Sequence, residues 1–318
     1  MQRLLSLSLL ACSGCLCSWA GIDRGLLALV PAGVNVVGSI DVTESRGSDF
    51  GQYLLSKQQV GDHGLEEMIV QTGFDPRRDL QHVLFANTAT AGDARHSSFA
   101  IFARGTFDED RIRAAATAKN AKVENYQGVS LFVNRRDTNP TAFAFLDTGV
   151  AVLADLPTLQ QIIANRMAPV ALNSDLASLI EAVGSNNDAW FVALGQGGAL
   201  AQHMLNEAGP QAQAFRSVTQ SSGGIRFGQV IEASFQATTR SAQDANALAD
   251  VVRFLASMVQ MQSQEDPRAA ILAPALNSMA LSTAGNTVHF SVSIPEKSLE
   301  QLAELHPRHA GTSTRTPR

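Results

Sequence analysis

Side chains that could bind a metal ion come close together at one place in this sequence. His63, Glu66 and Glu67 are spaced so that a helix would bring them onto neighbouring turns, and imidazole and carboxylate groups are both zinc ligands. The chain has no HExxH motif, and its other histidines are scattered along the sequence. The pattern therefore favours a solvated helix face over a metal site.

Hydrolysis could use either a nucleophilic serine or a pair of carboxylates. Gly128 and Ser130 have the spacing of the serine-hydrolase motif GxSxG, but Phe132 stands where the second glycine belongs. Because a catalytic triad is recognised by its geometry and not by its sequence, the absence of this motif does not exclude a nucleophilic serine elsewhere in the chain. Carboxylates could act as general acid and base, and Glu66 and Asp79 are the candidates for that alternative.

Three further segments carry groups that could bind a ligand or partner. Residues 195–198 (Gly-Gln-Gly-Gly) connect a predicted strand to a predicted helix but lack the P-loop lysine, which favours a tight connection over a phosphate site. Asp75 to Asp79 holds two arginines that could contact an anion; we favour a capped turn with local ion pairs, and 135–137 is a similar loop. Phe50 and Tyr53 could line a groove, although core packing is the default. The sequence thus predicts no catalytic residue, no metal ligand and no cofactor.

The N-terminus has the pattern of an export signal. Arg3 is followed by an apolar stretch from Leu4 to Leu16, which is too short for a membrane span of ~20 residues. A small-x-small site ends at Ala20, so we predict cleavage between Ala20 and Gly21. Lipid attachment at Cys12 is the competing interpretation, because Leu-Leu-Ala-Cys resembles a lipobox.

Composition limits the function classes. All three cysteines, Cys12, Cys15 and Cys17, lie in the predicted signal, so the mature chain would have no disulfide or thiolate chemistry. The net charge is −5, which gives no basic surface for nucleic acid. The sequence also predicts no transmembrane span in the mature chain. We therefore expect a periplasmic or extracellular protein, free or lipid-anchored, with a partner or ligand that the sequence does not name.

Hydrophobic patterns and turn residues predict strands alternating with helices. We expect strands at 34–42, 81–87, 97–104, 122–126, 129–134, 141–146, 150–154, 189–194, 225–227, 230–239, 279–284 and 287–293. Helices are expected at 48–55, 63–71, 108–119, 155–166, 175–183, 199–207, 210–220, 242–262, 269–276 and 295–305.

The two halves share one order of elements, which indicates an internal duplication. Residues 143–163 and 279–302 both read as strand, glycine turn, strand and proline-started helix. Because the strands come in hairpins, we predict an α+β fold of two related units, each a mainly antiparallel sheet with helices on one face. The predicted boundaries are a signal at 1–20, units at 21–168 and 169–305, and a disordered tail at 306–318.

Several segments resemble a group of exported bacterial proteins of unknown function: Leu26–Val42, Ser48–Leu55, Gln71–Leu80, Phe99–Asp108 and Phe143–Asp155. This resemblance implies export and a shared fold, and it carries no activity or catalytic residue. Our first functional prediction is an exported, non-enzymatic binding or interaction module of the cell envelope. An envelope hydrolase using carboxylates and a carrier for a hydrophobic ligand are the alternatives.

Overall fold

The computed structural model describes residues 21–58, 63–88, 98–135, 140–166, 170–195 and 212–305. The strands within these ranges are β1 (Val36–Asp41), β2 (Leu80–Asn87), β3 (Phe99–Gly105), β4 (Lys122–Tyr126), β5 (Val129–Asn134), β6 (Thr141–Asp147), β7 (Val150–Asp155), β8 (Ala189–Leu194), β9 (Val218–Arg226), β10 (Val230–Thr239), β11 (Ala280–Ala284) and β12 (Thr287–Pro295). The helices are α1 (Arg24–Leu27), α2 (Val42–Gly47), α3 (Asp49–Gln58), α4 (His63–Thr72), α5 (Pro76–Asp79), α6 (Glu109–Ala118), α7 (Leu156–Asn165), α8 (Ser174–Gly184), α9 (Ala212–Phe215), α10 (Ala242–Gln262), α11 (Pro267–Leu276) and α12 (Glu296–Glu304).

All twelve strands belong to one sheet, in the order β11-β12-β10-β9-β8-β1-β2-β3-β7-β6-β5-β4. Every neighbouring pair is antiparallel. Outward from the central β1–β8 pair, the first half begins β1-β2-β3-β7-β6 and continues with β5-β4, and the second half runs β8-β9-β10-β12-β11, so the first five strands of each half have matching positions. The same order on both sides confirms the predicted α+β fold of two related units. The β1–β8 pairing joins the two units into one sheet.

Most predicted elements are present, with one wrong helix. The sequence predicted a helix over 210–220, but α9 ends at Phe215 and β9 begins at Val218. Strand β9 pairs with β8 on one side and β10 on the other. Two ladders of backbone hydrogen bonds therefore override the weak helical pattern of Val-Thr-Gln-Ser-Ser. The predicted helix at 199–207 and the tail at 306–318 lie outside the described residues.

Aspartate side chains mark where several helices begin. The first strand, predicted to end at Val42, ends at Asp41 in the structure. The Asp41 carboxylate accepts hydrogen bonds from the N–H groups of Thr43 and Glu44 and so starts α2, a helix that the sequence did not predict. Asp155 caps α7 as expected, accepting from the N–H of Thr158 at 3.1 Å. Such caps satisfy amide groups that have no partner within the helix.

The sheet has two faces, which we call back and front. The back face contains Val37 of β1 and the front face contains Gly38. The main hydrophobic core lies on the back face and includes Leu26 of α1, Leu159 of α7 and Ile180 of α8. Because α8 belongs to the second half, this core contains residues of both halves. The boundary between 168 and 169 stays a prediction.

A smaller core lies on the front face of the second half. Ala237 of β10 and Val288 of β12 pack there against Ala245, Leu248 and Ala249 of α10. Helices therefore cover the back of the first half, the back of β8 and β9 through α8, and part of the front of the second half. Among the described helices, none has both the length and the apolar composition needed to cross a bilayer.

Candidate functional site

One residue from every strand lies in a single cross-strand row on the front face. The strand registers place these residues opposite one another, from edge to edge, in the order Val123, Phe132, Phe143, Leu153, Ile101, Phe85, Gly38, Phe191, Gly223, Phe235, Phe290 and Leu281. At ~4.8 Å between neighbouring strands, the row is about 50 Å long. Each member is apolar or glycine, so we call it the phenylalanine row.

The neighbouring row on the same face is apolar as well. Across nine strands it consists of Phe145, Ala151, Ala103, Val83, Ile40, Ala189, Ile225, Ala233 and Val292. Neither row contains a charged or polar side chain. These two rows form a broad apolar band that runs through both halves of the front face, whereas the row on the other side of the phenylalanine row includes Thr141, Asn87 and Ser221.

The middle of this surface is open to solvent. Phe85 is 36% exposed, Leu153 41% and Phe235 37%. Towards one end, Phe107 packs against Phe74 at 5.2 Å and Phe145 at 5.6 Å between ring centroids. Towards the other end, α10 covers the small core described above. Large exposed apolar patches of this kind mark interaction sites in soluble proteins.

The two glycines of the phenylalanine row have different surroundings. A Cβ on Gly223 would lie 2.6 Å from Cε1 of Phe191, so the Phe191 ring already occupies the space above this glycine. A Cβ on Gly38 would have as its nearest neighbours the Trp190 carbonyl oxygen at 3.4 Å and the Cβ and Cα of Phe191 at 3.6 and 4.0 Å, which are ordinary contacts. Gly38 therefore has room for a small side chain, and we call this position in the row, between Phe85 and Phe191, the notch.

A buried polar cluster lies on the back face near the centre of the sheet. The hydroxyl of Ser39 is 2.6 Å from Nε2 of His82 and donates to the carbonyl of Val83 at 3.2 Å. Burial lowers the pKa of His82, although the negative charges of Asp23 and Asp41 act in the opposite direction and raise it. His82 is therefore neutral at pH 7.

An ion pair adjoins this cluster. Arg104 donates to both carboxylate oxygens of Asp23, with Nη2 3.0 Å from Oδ1. Burial raises the pKa of Asp23, but the hydrogen bonds from Arg104 and from the Leu26 N–H outweigh it and hold the pKa below its usual value. These contacts tie the start of α1 to β3.

The Ser39–His82 pair has the distance of a nucleophile and its base. Both side chains are buried, at 8% and 7% exposure, so a substrate has no direct access to them. A cavity of about 40 Å³ lies elsewhere on the sheet, and Ser39 and His82 are not among its lining residues, which include Val34, Ala86, Phe99, Thr158 and Gln161. Such a volume holds water rather than an organic ligand.

The predicted charged candidates on α4 have separate hydrogen-bond and ion-pair partners. Glu67 accepts from Gln71 at 2.6 Å and lies 3.7 Å from Lys119, while Glu66 is exposed. The side chain of His63 lies outside the described residues, and those that are described contain no group of three potential ligands that could hold a metal ion. No described hydrogen bond or ion pair joins Glu66 to Asp79.

The segment from Asp75 to Asp79 is a capped helical turn, as the sequence favoured. Asp75 accepts from the Arg77 N–H at 3.0 Å and from its guanidinium at 2.8 and 2.9 Å. Arg78 donates to Asp79 at 2.7 and 2.8 Å. The hydrogen bonds from these arginines lower the pKa of both carboxyls. The two arginines are therefore engaged in local ion pairs.

Phe50 and Tyr53 contact the last helix. The Tyr53 hydroxyl donates to the carbonyl of Glu300 at 3.1 Å and to Glu304 at 3.2 Å. The Phe50 N–H donates to the carboxylate of Glu296. These contacts join α3 of the first half to α12 of the second, and neither aromatic side chain belongs to the phenylalanine row.

The remaining predicted positions lie at or beyond the limits of the described chain. Cys12 and Ala20 lie outside it, as do 196–198 and 136–137. Gly21 is its first residue; it is buried, and its carbonyl accepts a hydrogen bond from the Trp190 indole. The processing site and lipid attachment therefore stay predictions. Arg135 pairs with Glu124 at 2.8 Å.

Sequence reasoning missed the phenylalanine row because strand registers are not visible in one sequence. The one local signal was glycine inside strand patterns, at Gly38 and at 223–224, which marks a close approach of other groups to the backbone. It also missed the Ser39–His82 pair, since these residues lie on different strands.

Comparison with known proteins gives a fold and no family. No family model matches the chain, and neither does any curated protein. The resemblance to exported proteins of unknown function therefore stays a prediction. Among solved structures, crystal form III of TP0453, a Treponema protein, is similar with a TM-score of 0.54 at 8% identity, covering 87% of this chain and 96% of that chain. Crystal form IV gives a TM-score of 0.49 at 10% identity, over 87% and 95%. At this identity the similarity shows that the two proteins share a fold.

Proposed function

We propose that this protein is an exported, non-enzymatic binding module, and that the front face of its sheet binds an apolar ligand. One observation carries the proposal: the phenylalanine row crosses all twelve strands without a polar side chain and is open to solvent in its middle. The proposal combines the binding module and the hydrophobic carrier that the sequence suggested.

The energetic argument concerns apolar surface left in water. Covering it releases about 25 cal/mol per Å², so each 100 Å² covered is worth about 2.5 kcal/mol before the costs of association. Leu153, Phe85 and Phe235 are each more than a third exposed. A sheet face that is apolar across this many strands is more favourable when it is covered.

The chemistry of the surface indicates the kind of ligand. The two front rows offer neither charges nor hydrogen-bonding side chains, so they can bind hydrocarbon but cannot orient a polar group. The notch above Gly38 gives a flat or chain-like group a place between two aromatic side chains. We therefore propose a ligand with a long hydrocarbon part, such as an acyl chain.

A pair of neighbouring residues on β10 provides the test. Phe235 points to the front face and Ser234 to the back, and both are exposed. Titration of a fluorescent fatty acid should show at least tenfold weaker binding for Phe235→Asp and unchanged affinity for Ser234→Asp. Equal affinities for the two variants, or no binding to the unmodified protein, would contradict the proposal.

An enzymatic alternative rests on the Ser39–His82 contact of 2.6 Å. It is separate from the alternative of a carboxylate acid and base at Glu66 and Asp79, which stays a prediction. An activated serine should react with a fluorophosphonate probe, and the reaction should disappear in Ser39→Ala. We favour the binding function because both side chains are buried.

Export completes the proposal and rests on the N-terminal sequence. Mass spectrometry of the protein recovered from a bacterial host should give a chain starting at Gly21. If Cys12 is lipidated instead, the protein should fractionate with membranes and lose that association in Cys12→Ser. An intact N-terminus in the cytoplasmic fraction would contradict export.

A further inference from the structure

The two edges of the sheet differ in chemistry. Edge strand β4 has the sequence Lys-Val-Glu-Asn-Tyr, and its Glu124 lies 3.8 Å from Lys122 and 2.8 Å from Arg135. Edge strand β11 has the sequence Ala-Leu-Ser-Thr-Ala, and four of its five residues are exposed. Its register with β12 runs without a bulge. Charges, prolines and bulges are the devices that keep edge strands from pairing with other chains, and β11 has none of them.

The hydrogen bonds of β11 leave one side of the strand open. The hairpin turn consists of Gly285 and Asn286, so Ala284 and Thr287 form a hydrogen-bonded pair. Because such pairs alternate along an antiparallel ladder, Ser282 and Ala280 also point their backbone groups towards β12. The backbone groups of Leu281 and Thr283 therefore point away from the sheet. No described backbone hydrogen bond outside the β11–β12 ladder involves them.

We infer that β11 pairs with β11 of a second copy of this chain, antiparallel and around a two-fold axis at Ser282. In this register Leu281 lies opposite Thr283 of the second copy, and Thr283 opposite Leu281. Both residues with outward backbone groups then form hydrogen-bonded pairs, and no other antiparallel self-register pairs both. The inference is independent of the proposed ligand.

The side chains of β11 are compatible with self-pairing. The strand carries no charge, so two copies place no like charges opposite each other. Ser282 meets Ser282 of the second copy across a non-hydrogen-bonded pair, where two hydroxyls can bond. Leu281 ends the phenylalanine row, and in this register it lies beside Thr283 of the second copy on the same face of the sheet.

The proposed β11–β11 contact between two copies is small, which limits its affinity. Five residues on each side are far fewer than the ~20–30 per partner of a standard interface. The dimer should therefore be weak, with a dissociation constant of about micromolar or higher, and it should depend on protein concentration.

A single cysteine tests the register directly. In the full chain with Cys12, Cys15 and Cys17 changed to serine, Ser282→Cys should form a disulfide-linked dimer on mild oxidation. The Cα atoms of a non-hydrogen-bonded pair are ~4.5 Å apart, which a disulfide can span. Asn125→Cys on the exposed side of β4 is the matched control and should cross-link at least tenfold more slowly.

Sedimentation of chains without the added cysteine supplies a second readout. The unmodified protein should shift from monomer to dimer as its concentration rises, and Thr283→Pro should stay monomeric. That proline removes an outward N–H and leaves the β12 pairing intact. It also removes the hydrogen bond from the Thr283 hydroxyl to Asn246 at 3.2 Å, so Thr283→Ala, which loses only this bond, is the control and should still dimerise. Circular dichroism of both variants should be unchanged. A monomer at all concentrations, equal cross-linking of the two cysteines, or a dimer that persists in Thr283→Pro would each overturn the inference.

Discussion

The two halves of the sheet have the same strand order but place their polar and apolar residues differently. On the back face, the row through Val37 continues into the first half as Ala86, Ala100, Ala154, Ala142 and Val133. Into the second half it continues as Val192, Ser222, Gln236, His289 and Ser282. The first series lies under helices in the main core, and the second becomes polar after Val192.

The strand order is common to both halves, whereas the distribution of polar residues differs between them. Both halves keep an apolar front face, although helices cover it only in part. Only the first half is apolar on both faces, which explains its near-continuous hydrophobic strands. The shared feature is therefore the front face, and this supports its assignment as the binding surface.

The largest expected loss of stability comes from a back-face residue of the first half, compared with one of the second half. Phe102 of β3 is fully buried there, and Ser234 lies on the corresponding face of β10. Phe102→Ala should lower the free energy of unfolding by about 3–5 kcal/mol because it leaves a cavity. Ser234→Ala should change it by less than about 0.5 kcal/mol. Urea unfolding followed by circular dichroism measures both, and similar losses would show that the back faces are equally buried.

The second effect concerns the glycines of the phenylalanine row, one in each half. Gly223→Ala should destabilise by about 1–3 kcal/mol, because its Cβ would collide with the Phe191 ring. Gly38→Ala meets only ordinary contacts and should stabilise by up to about 1 kcal/mol, since glycine is unfavourable within a strand. Thermal unfolding should move in opposite directions for the two variants. A shift in the same direction would contradict the different surroundings that we assign to them.

A third effect is the pH dependence of the free energy of unfolding that arises from His82 in the buried cluster of the first half. Burial lowers the pKa of His82 below the ordinary histidine value of 6.5, so the unfolded chain binds the proton more readily than the folded one. Stability should therefore fall as the pH drops below about 6.5. His82→Leu should reduce this slope in unfolding measurements between pH 7 and 5. An unchanged slope would mean that other groups cause it.

The smallest effect is expected at the surface of α10. Arg253 lies 2.8 Å from Asp250, and both side chains are at least half exposed. Arg253→Ala should change the free energy of unfolding by less than about 0.5 kcal/mol, because exposed ion pairs gain little in water. A loss above 1 kcal/mol in chemical unfolding would show that α10 depends on this pair.

The sequence predicted most individual helices and strands, but it did not predict that the strands of both halves form one sheet. The hydrophobic run around Phe143 and the turn at Gly149 were sufficient for β6 and β7, and Ser241 marked the start of α10. The pairing of β1 with β8 could not be predicted, because it joins residues that are far apart in the chain. Only the end of β9 was predicted, as the strand at 225–227, because Ser221 and Ser222 weaken the pattern before it and the neighbouring strands determine the conformation there.

The candidate site was less predictable than the fold. Each phenylalanine of the row is unremarkable in its own strand, and only the registers bring Phe85, Phe191 and Phe235 onto one surface. The charged candidates Glu66 and Asp79 were found because charged residues lie close together in the sequence around them. In the structure Asp79 forms an ion pair with the neighbouring Arg78.

The most direct measurement of the central claim is photo-cross-linking with a fatty acid that carries a diazirine on its chain. After irradiation, peptide mass spectrometry identifies the residues that contact the chain. Our account predicts labels on the front face, around Phe85, Phe191 and Phe235, and their loss in Gly38→Leu, which fills the notch. Labels confined to the back face or to helix surfaces, or no saturable labelling, would contradict it.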